Sequence, residues 1–274
     1  MKQIASILLL LLLLAGCQST PPSGSAGAEP ADTSGPNRST STAPSSAKSL
    51  VDIMDGTVPT DGVPTFLGIA QRRRDRSEEE AVALLHVADQ VARYLQISGQ
   101  YQIDFDSAGR TTLVKENILT DWNPERGQSL TDSFEVTDVY QDNDNTYVLA
   151  RVPSLKAAPV IPGLSTGRNK PAWVDTPPTL PGYIVSVGIT QRRRVVKDSI
   201  DFADEDALKG IIMTMLSQVD AAFWSRSVEQ QGETTGSTSS TITGTGSLTG
   251  FYVLSRWISP DMSYYYSLAV APVQ

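Results

Sequence analysis

The chain has 274 residues, of which 19% are charged, and a formal net charge of −8 at pH 7. An acidic balance of this kind is a poor match for the nucleic-acid backbone. With one cysteine, Cys17, and one histidine, His86, the composition supplies neither a disulfide framework nor a zinc ligand set.

Met1-Lys2 precedes an apolar run from Ile4 to Leu14. A span needs roughly 20 apolar residues, so this shorter run reads as the core of a secretory signal. Leu14-Ala15-Gly16-Cys17 then matches the lipobox of bacterial lipoproteins. The small residues let a signal peptidase close around the chain, and the Cys17 thiol is the attachment point for lipid. Residues 1–16 are thus expected to be a lipoprotein signal peptide. Removing Lys2 with it makes the remaining chain one charge more negative. With Cys17 acylated (palmitate among the expected chains), the folded part has no thiol, and its stability must come from buried cores. More than one acyl chain makes anchoring stable where one is marginal. Gln18 follows Cys17 where an aspartate would favour inner-membrane retention, so outer-membrane sorting is expected.

Residues 17–50 read as the lipidated cysteine and a tether of Ser, Thr, Pro, Gly and Ala. Such a segment buries too little apolar surface to offset its ordering entropy, so it is expected to be disordered. About 30 residues of flexible coil span roughly 30 Å.

The remainder is organised by a heptapeptide that occurs twice: Gly68-Ile69-Ala70-Gln71-Arg72-Arg73-Arg74 and Gly188-Ile189-Thr190-Gln191-Arg192-Arg193-Arg194. We read an internal duplication, giving a repeat domain over 60–153, a Pro- and Gly-rich linker over 154–180, and a second repeat domain over 181–274. In the first copy Phe66 to Ala70 is strand-like. Ser77-Glu78-Glu79-Glu80 predicts a capping box, with Ser77 accepting from the Glu80 amide. Ala81, Leu84, Leu85, Ala88, Val91 and Leu95 then predict one helical face, ending near Ser98-Gly99. Strands are predicted over Tyr101–Phe105, Thr111–Leu119, Phe134–Tyr140 and Thr146–Val152, with turns at Asp121–Pro124 and Asp142–Asn145. The linker places Trp173 to pack at its edge. Tyr183 to Ile189 is a clear strand. Shifting by 120 residues puts Ala83, Val87, Ala88, Val91 and Leu95 on Ala203, Ala207, Leu208, Ile211 and Met215. Gly232 to Gly250 is rich in Thr, Ser and Gly and reads as a long flat hairpin or a loose loop. The fold class expected is α+β: two tandem copies, each one long helix packed on an antiparallel sheet.

The strand ending Val187-Gly188-Ile189, preceded by Pro171-Ala172-Trp173-Val174 and followed by a helix and strands, resembles the "Lpp-twenty" family of bacterial outer-membrane lipoproteins. The resemblance implies a lipidated envelope protein whose fold is similar to the N-terminal domain of a flagellar T-ring protein. In some members of that family it implies association with flagellar or surface structures. The first copy lacks the tryptophan element, and the resemblance carries over no catalytic residue.

Chemistry-bearing motifs are sparse. His86 sits in a predicted helix between Leu85 and Val87, which suits a structural or surface role. There is no nucleophile elbow and no phosphate-binding loop. Asp201, Asp204, Glu205 and Asp206 cluster, as do Asp142 and Asp144, but capping and solvation account for carboxylates at helix starts and turns. The loop around Asp142 lacks calcium-loop spacing. The chain therefore reads as a non-enzyme, with no cofactor, no metal and no nucleic-acid partner.

The candidate binding residues are Arg72, Arg73 and Arg74 with Arg192, Arg193 and Arg194. Six guanidiniums on equivalent loops could hold phosphates or carboxylates of a glycan, a lipid head group or a protein partner. The plain alternative is a solvated turn whose arginines pair with Glu78 to Glu80 and Asp201. A second candidate is the aromatic strip Tyr252, Trp257, Tyr264, Tyr265 and Tyr266, where alternation separates Tyr265 from its two neighbours. The expectation is an outer-membrane, lipid-anchored, periplasm-facing protein acting in structure or assembly, by self-association or with another envelope protein. The alternative is a monomeric module that binds peptidoglycan or acidic polysaccharide.

Overall fold

The computed structural model describes residues 49–108, 111–164, 167–227 and 238–273. The signal segment, Cys17 and the tether up to residue 48 lie outside the described residues, as does the 228–237 part of the Thr-, Ser- and Gly-rich stretch. Composition extends the tether to residue 50, but Ser49 already starts helix α1, Leu50–Asp55. Its side chain accepts from the Asp52 amide, and the Asp52 carboxylate accepts from Ser49 N–H at 2.7 Å. This capping box satisfies two otherwise orphaned donors, and α1 buries Ile53 and Met54.

Strand β1, Thr65–Gln71, and the body of helix α2, Ser77–Leu95, form where the sequence places them, but α2 stops at Leu95 and Ser98-Gly99, expected near its end, already belong to a strand. The start of α2 differs in detail. No side chain caps it, and Ser77 turns backwards, donating through both its amide and its hydroxyl to Asp75 Oδ1. The Asp75 carboxylate is the stronger acceptor, and it draws Ser77 away from the Glu80 amide. The buried stripe of α2 is Glu79, Ala83, Val87, Val91 and Tyr94 with Ala88 and Ala92, while Leu85 is 53% exposed. Large apolar side chains alone therefore misphase the helix.

Strands β2, Ile97–Ala108, and β3, Thr111–Asp121, follow as a hairpin. The predicted turn at Asp121–Pro124 runs on into a short helix, α3, Pro124–Gln128, whose N-cap Asn123 accepts from the Glu125 amide. Strands β4, Glu135–Gln141, and β5, Asn145–Arg151, complete the first half. The 154–180 connection is not merely a spacer. It buries Ala158 and Leu164, and Trp173, in a 3-10 turn over Ala172–Val174, is only 4% exposed.

The second half contains β6, Tyr183–Gln191; the long helix α4, Val196–Ser227; β7, Thr238–Leu248; β8, Tyr252–Ile258; and β9, Tyr264–Pro272. A hairpin within 232–250 would need residues outside those described. What the described part shows is β7 pairing along β2 of the first half. The protein is mixed α+β, with three antiparallel sheets ordered β1-β5-β4, β3-β2-β7 and β6-β9-β8.

Glycine fixes how close the helices lie. A Cβ on Gly68 would sit 2.2 Å from the Ala83 carbonyl oxygen, and one on Gly188 would sit 2.0 Å from that of Ala203. Each helix thus rests on backbone at the repeated Gly, a contact only Gly permits. The cores cross between halves. Phe66, Val91 and Tyr94 share a cluster with Tyr252, Leu254, Leu268 and Val270, and Leu67, Ile69 and Tyr147 share another with Ile200, Ala203 and Tyr265. Phe66 stacks edge-on against Tyr94 at 6.1 Å and Tyr252 at 5.5 Å, an arrangement that aromatic quadrupoles favour.

Candidate functional site: two arginine turns

Each repeated heptapeptide ends a strand, β1 or β6, and the chain then turns into a helix. The turns are clamped alike. Arg72 N–H donates to the Asp144 carbonyl at 2.7 Å, and Arg192 N–H to the Ser263 carbonyl at 2.8 Å. Arg73 N–H donates to Glu79 Oε1 at 2.7 Å, and Arg193 N–H to Ser199 Oγ at 2.8 Å. Glu79 and Ser199 occupy equivalent positions, so a carboxylate and a hydroxyl perform one task. The Glu79 side chain is fully buried. The Arg73 amide and then the Thr146 hydroxyl donate to it and hold its pKa below the ordinary carboxylate value.

With the first two backbone amides of each triplet clamped, all six arginine side chains are exposed. The pairing expected of a solvated turn is partly present: Arg73 lies 3.5 Å from Glu78, and Arg72 Nε lies 3.8 Å from Glu79. Asp201 takes other partners. It pairs with Lys197, and its Oδ1 lies 3.0 Å from His86 Nε2. Burial pushes the Asp201 carboxyl up, but the His86 hydrogen bond and the Lys197 charge outweigh it and leave the pKa well below the ordinary range. Arg193 instead lies over the Phe202 ring, 4.2 Å from its centroid, a cation–π contact.

The two turns differ in their surroundings. An open groove of about 560 Å³ runs beside the first, with Arg72, Arg73 and Lys197 among its cationic walls and Val82 and Leu85 among its apolar ones. Beside the second, Ile189 and Phe202 are 46% and 44% exposed. Both settings suit partners that combine negative charge with apolar surface.

His86 is structural in a specific way. Its Nδ1 accepts Ile69 N–H at 3.1 Å while Nε2 faces Asp201, which fixes the tautomer and ties α2 to α4. Asp206, 120 residues after His86, accepts Ile189 N–H at 2.9 Å. The carboxylate cluster is likewise not simply solvated. Asp204 is buried and holds Arg256 through two hydrogen bonds of 2.6 and 3.1 Å, with Ser267 donating to it as well. Gln90 of α2 completes the network, 3.3 Å from Arg256. Sequence reasoning missed this pair. The signal was the phase of Asp204, which falls at helical spacing with the buried Ala207, Leu208 and Ile211.

The aromatic strip divides as alternation requires: Tyr265 is 1% exposed and Tyr264 38% exposed. Tyr266 packs on Trp257 with ring centroids 5.3 Å apart. Among the described residues no group of three or more His, Cys, Asp or Glu is placed to hold a metal, and no helix is long and apolar enough to cross a membrane. No family model, curated protein or solved structure matches the chain.

Proposed function

We propose that this chain is a lipid-anchored protein of the bacterial outer membrane, held through Cys17 and facing the periplasm. In this reading two tandem copies of one unit, joined by residues 154–180, serve a structural or assembly role, in or beside a flagellar or other surface structure. The observation that carries it is the pair of arginine turns. Their backbone clamp is the same in both halves although the clamping residues differ, and the side chains it presents are exposed. A rigid, repeated cationic surface on an acidic protein suits the acidic surface of a neighbouring subunit or envelope protein. Catalysis has no comparable support, since the buried charged groups are paired in structural roles.

The test is charge reversal of Arg192, Arg193 and Arg194 to Glu, with assembly followed by light scattering. Association beyond a dimer should weaken while the circular dichroism spectrum stays the same; unchanged assembly removes these arginines from the reading. The groove beside Arg72 and Arg73 favours a second reading, a monomeric module for peptidoglycan or acidic polysaccharide. Pelleting with purified cell wall at low salt, lost on reversing Arg72 and Arg73, would establish that reading in place of the first.

A further inference from the structure

The edges of the three sheets are β1, β4, β3, β7, β6 and β8. An open strand edge invites pairing with another chain, and proteins guard against it with charges, prolines, bulges or covering groups. Here the guards differ from strand to strand. On β1, the Thr65 and Ile69 amides donate to Tyr252 and His86 at 3.0 and 3.1 Å, and the Leu67 carbonyl accepts from Gln90 at 2.6 Å. β4 carries Glu135 and Asp138 and breaks register between Val136 and Asp138. β8 breaks register between Val253 and Ser255 and has α1 packed on it. On β6, Ile189 N–H is taken by Asp206, and Asn117 and Ile118 of β3 face Ser186 and Val187 across one cavity. β3 carries Lys115, Glu116 and Asp121.

β7 carries no charge and no proline in its 11 residues, Thr238 to Leu248, and no break in its register with β2. Among the described residues no strand pairs with its outer side.

We propose that β7 is a docking edge for the β7 of a second copy, the two strands running antiparallel about a two-fold axis at Thr243, the middle of the strand. The product is one six-stranded sheet. Three features favour a second copy. Pairing β7 with itself sets only neutral residues opposite one another. The strand is unbroken and has a central residue, so the same edge fits itself without an overhang. Each copy is acidic, and an uncharged edge is where two acidic molecules approach with least repulsion. Pairing β7 with β3 of the next copy would instead place it against Lys115 and Glu116 and build an open filament. The inference rests on the assembly reading for its setting, but it uses a different surface from the arginine turns.

The experiment uses the chain from Gln18, which lacks cysteine, measured by light scattering across concentration. The expected result is a monomer–dimer equilibrium that Thr241→Lys with Thr245→Lys weakens at least tenfold without altering the circular dichroism spectrum. Under mild oxidation Thr243→Cys should cross-link most of the protein as a dimer, whereas Thr238→Cys, far from the axis, should not. A monomer at every concentration with no cross-link from Thr243→Cys overturns the proposal. So does association that ignores both lysines. If larger species vanish on reversing Arg192 to Arg194 but survive the lysines, the arginine reading stands and the edge reading falls. If a dimer is sensitive to the lysines and indifferent to arginine reversal, the edge reading stands and the arginine reading falls.

Discussion

Asp206 stands in α4 where His86 stands in α2, and each accepts a backbone proton from the same point of its strand, Ile189 or Ile69. The same backbone donor is met by a different side chain in each. His86 has a second use, because its other nitrogen reaches Asp201 of α4 at 3.0 Å.

The Asp201 contact makes part of the stability acid-sensitive. Its carboxyl titrates below its ordinary value of 3.8 in the folded chain, so the stabilisation is complete above about pH 4 and is lost as pH falls through the folded-state value. Asp201→Asn should cost about 2 kcal/mol at neutral pH, typical of a hydrogen bond to a charged group. It should also flatten the acid limb of the stability curve. Urea melts from pH 7 down to pH 2 measure both effects, and an unchanged acid limb would remove Asp201 from the account.

The Arg256 and Asp204 pair is more deeply buried, with side chains 3% and 7% exposed. Removing one partner strands the other charge, and Arg256→Met should destabilise by about 3–5 kcal/mol. Arg256→Met combined with Asp204→Leu should recover much of that loss. Denaturant midpoints across the double-mutant cycle report the coupling.

The repeated glycines should respond alike. Gly68→Ala and Gly188→Ala each drive a methyl into a helix carbonyl, and each should cost about 1–3 kcal/mol or more through overpacking. Equal losses would mark the two helix seats as equivalent, whereas tolerance at one would show that its helix can lift.

Tyr252→Phe removes the hydroxyl that accepts Thr65 N–H at 3.0 Å and whose proton is shared between the Thr57 and Thr65 carbonyls, both at 2.9 Å. Burial raises the Tyr252 pKa, so the group stays neutral throughout the working pH range. A loss of about 1–3 kcal/mol, typical of stranded buried polar groups, should appear in thermal unfolding without a change in secondary structure.

Helix α2 and strands β1 to β6 were legible because each has its own local pattern. The comparison of the copies was more accurate than hydrophobicity. The 120-residue shift picked out Ala83, Val87, Ala88, Val91 and Leu95, of which the first four are buried and Leu95 is partly buried, whereas size and spacing also picked out Leu85, which is 53% exposed. Helix α1 was hidden because its six residues are too few to show a helical repeat. The pairing of β7 with β2 could not be read, since nothing in a Thr- and Ser-rich strand names its neighbour 140 residues away. The exposure of the six arginines was legible from their charge. The clamp beneath them was not, because it consists of backbone donors that no residue type announces.

The clusters that cross from one half to the other have a thermodynamic consequence. A chain carrying one half would leave Phe66, Val91 and Tyr94, or else Tyr252, Leu254 and Leu268, with an apolar face and nothing to cover it. Two such halves could bury those faces only by meeting in solution, at the cost in translational and rotational freedom that any association carries. The 154–180 connection, itself pinned into the core by Trp173, makes that meeting intramolecular. The core therefore forms at any dilution, and a single molecule can fold before it has met another.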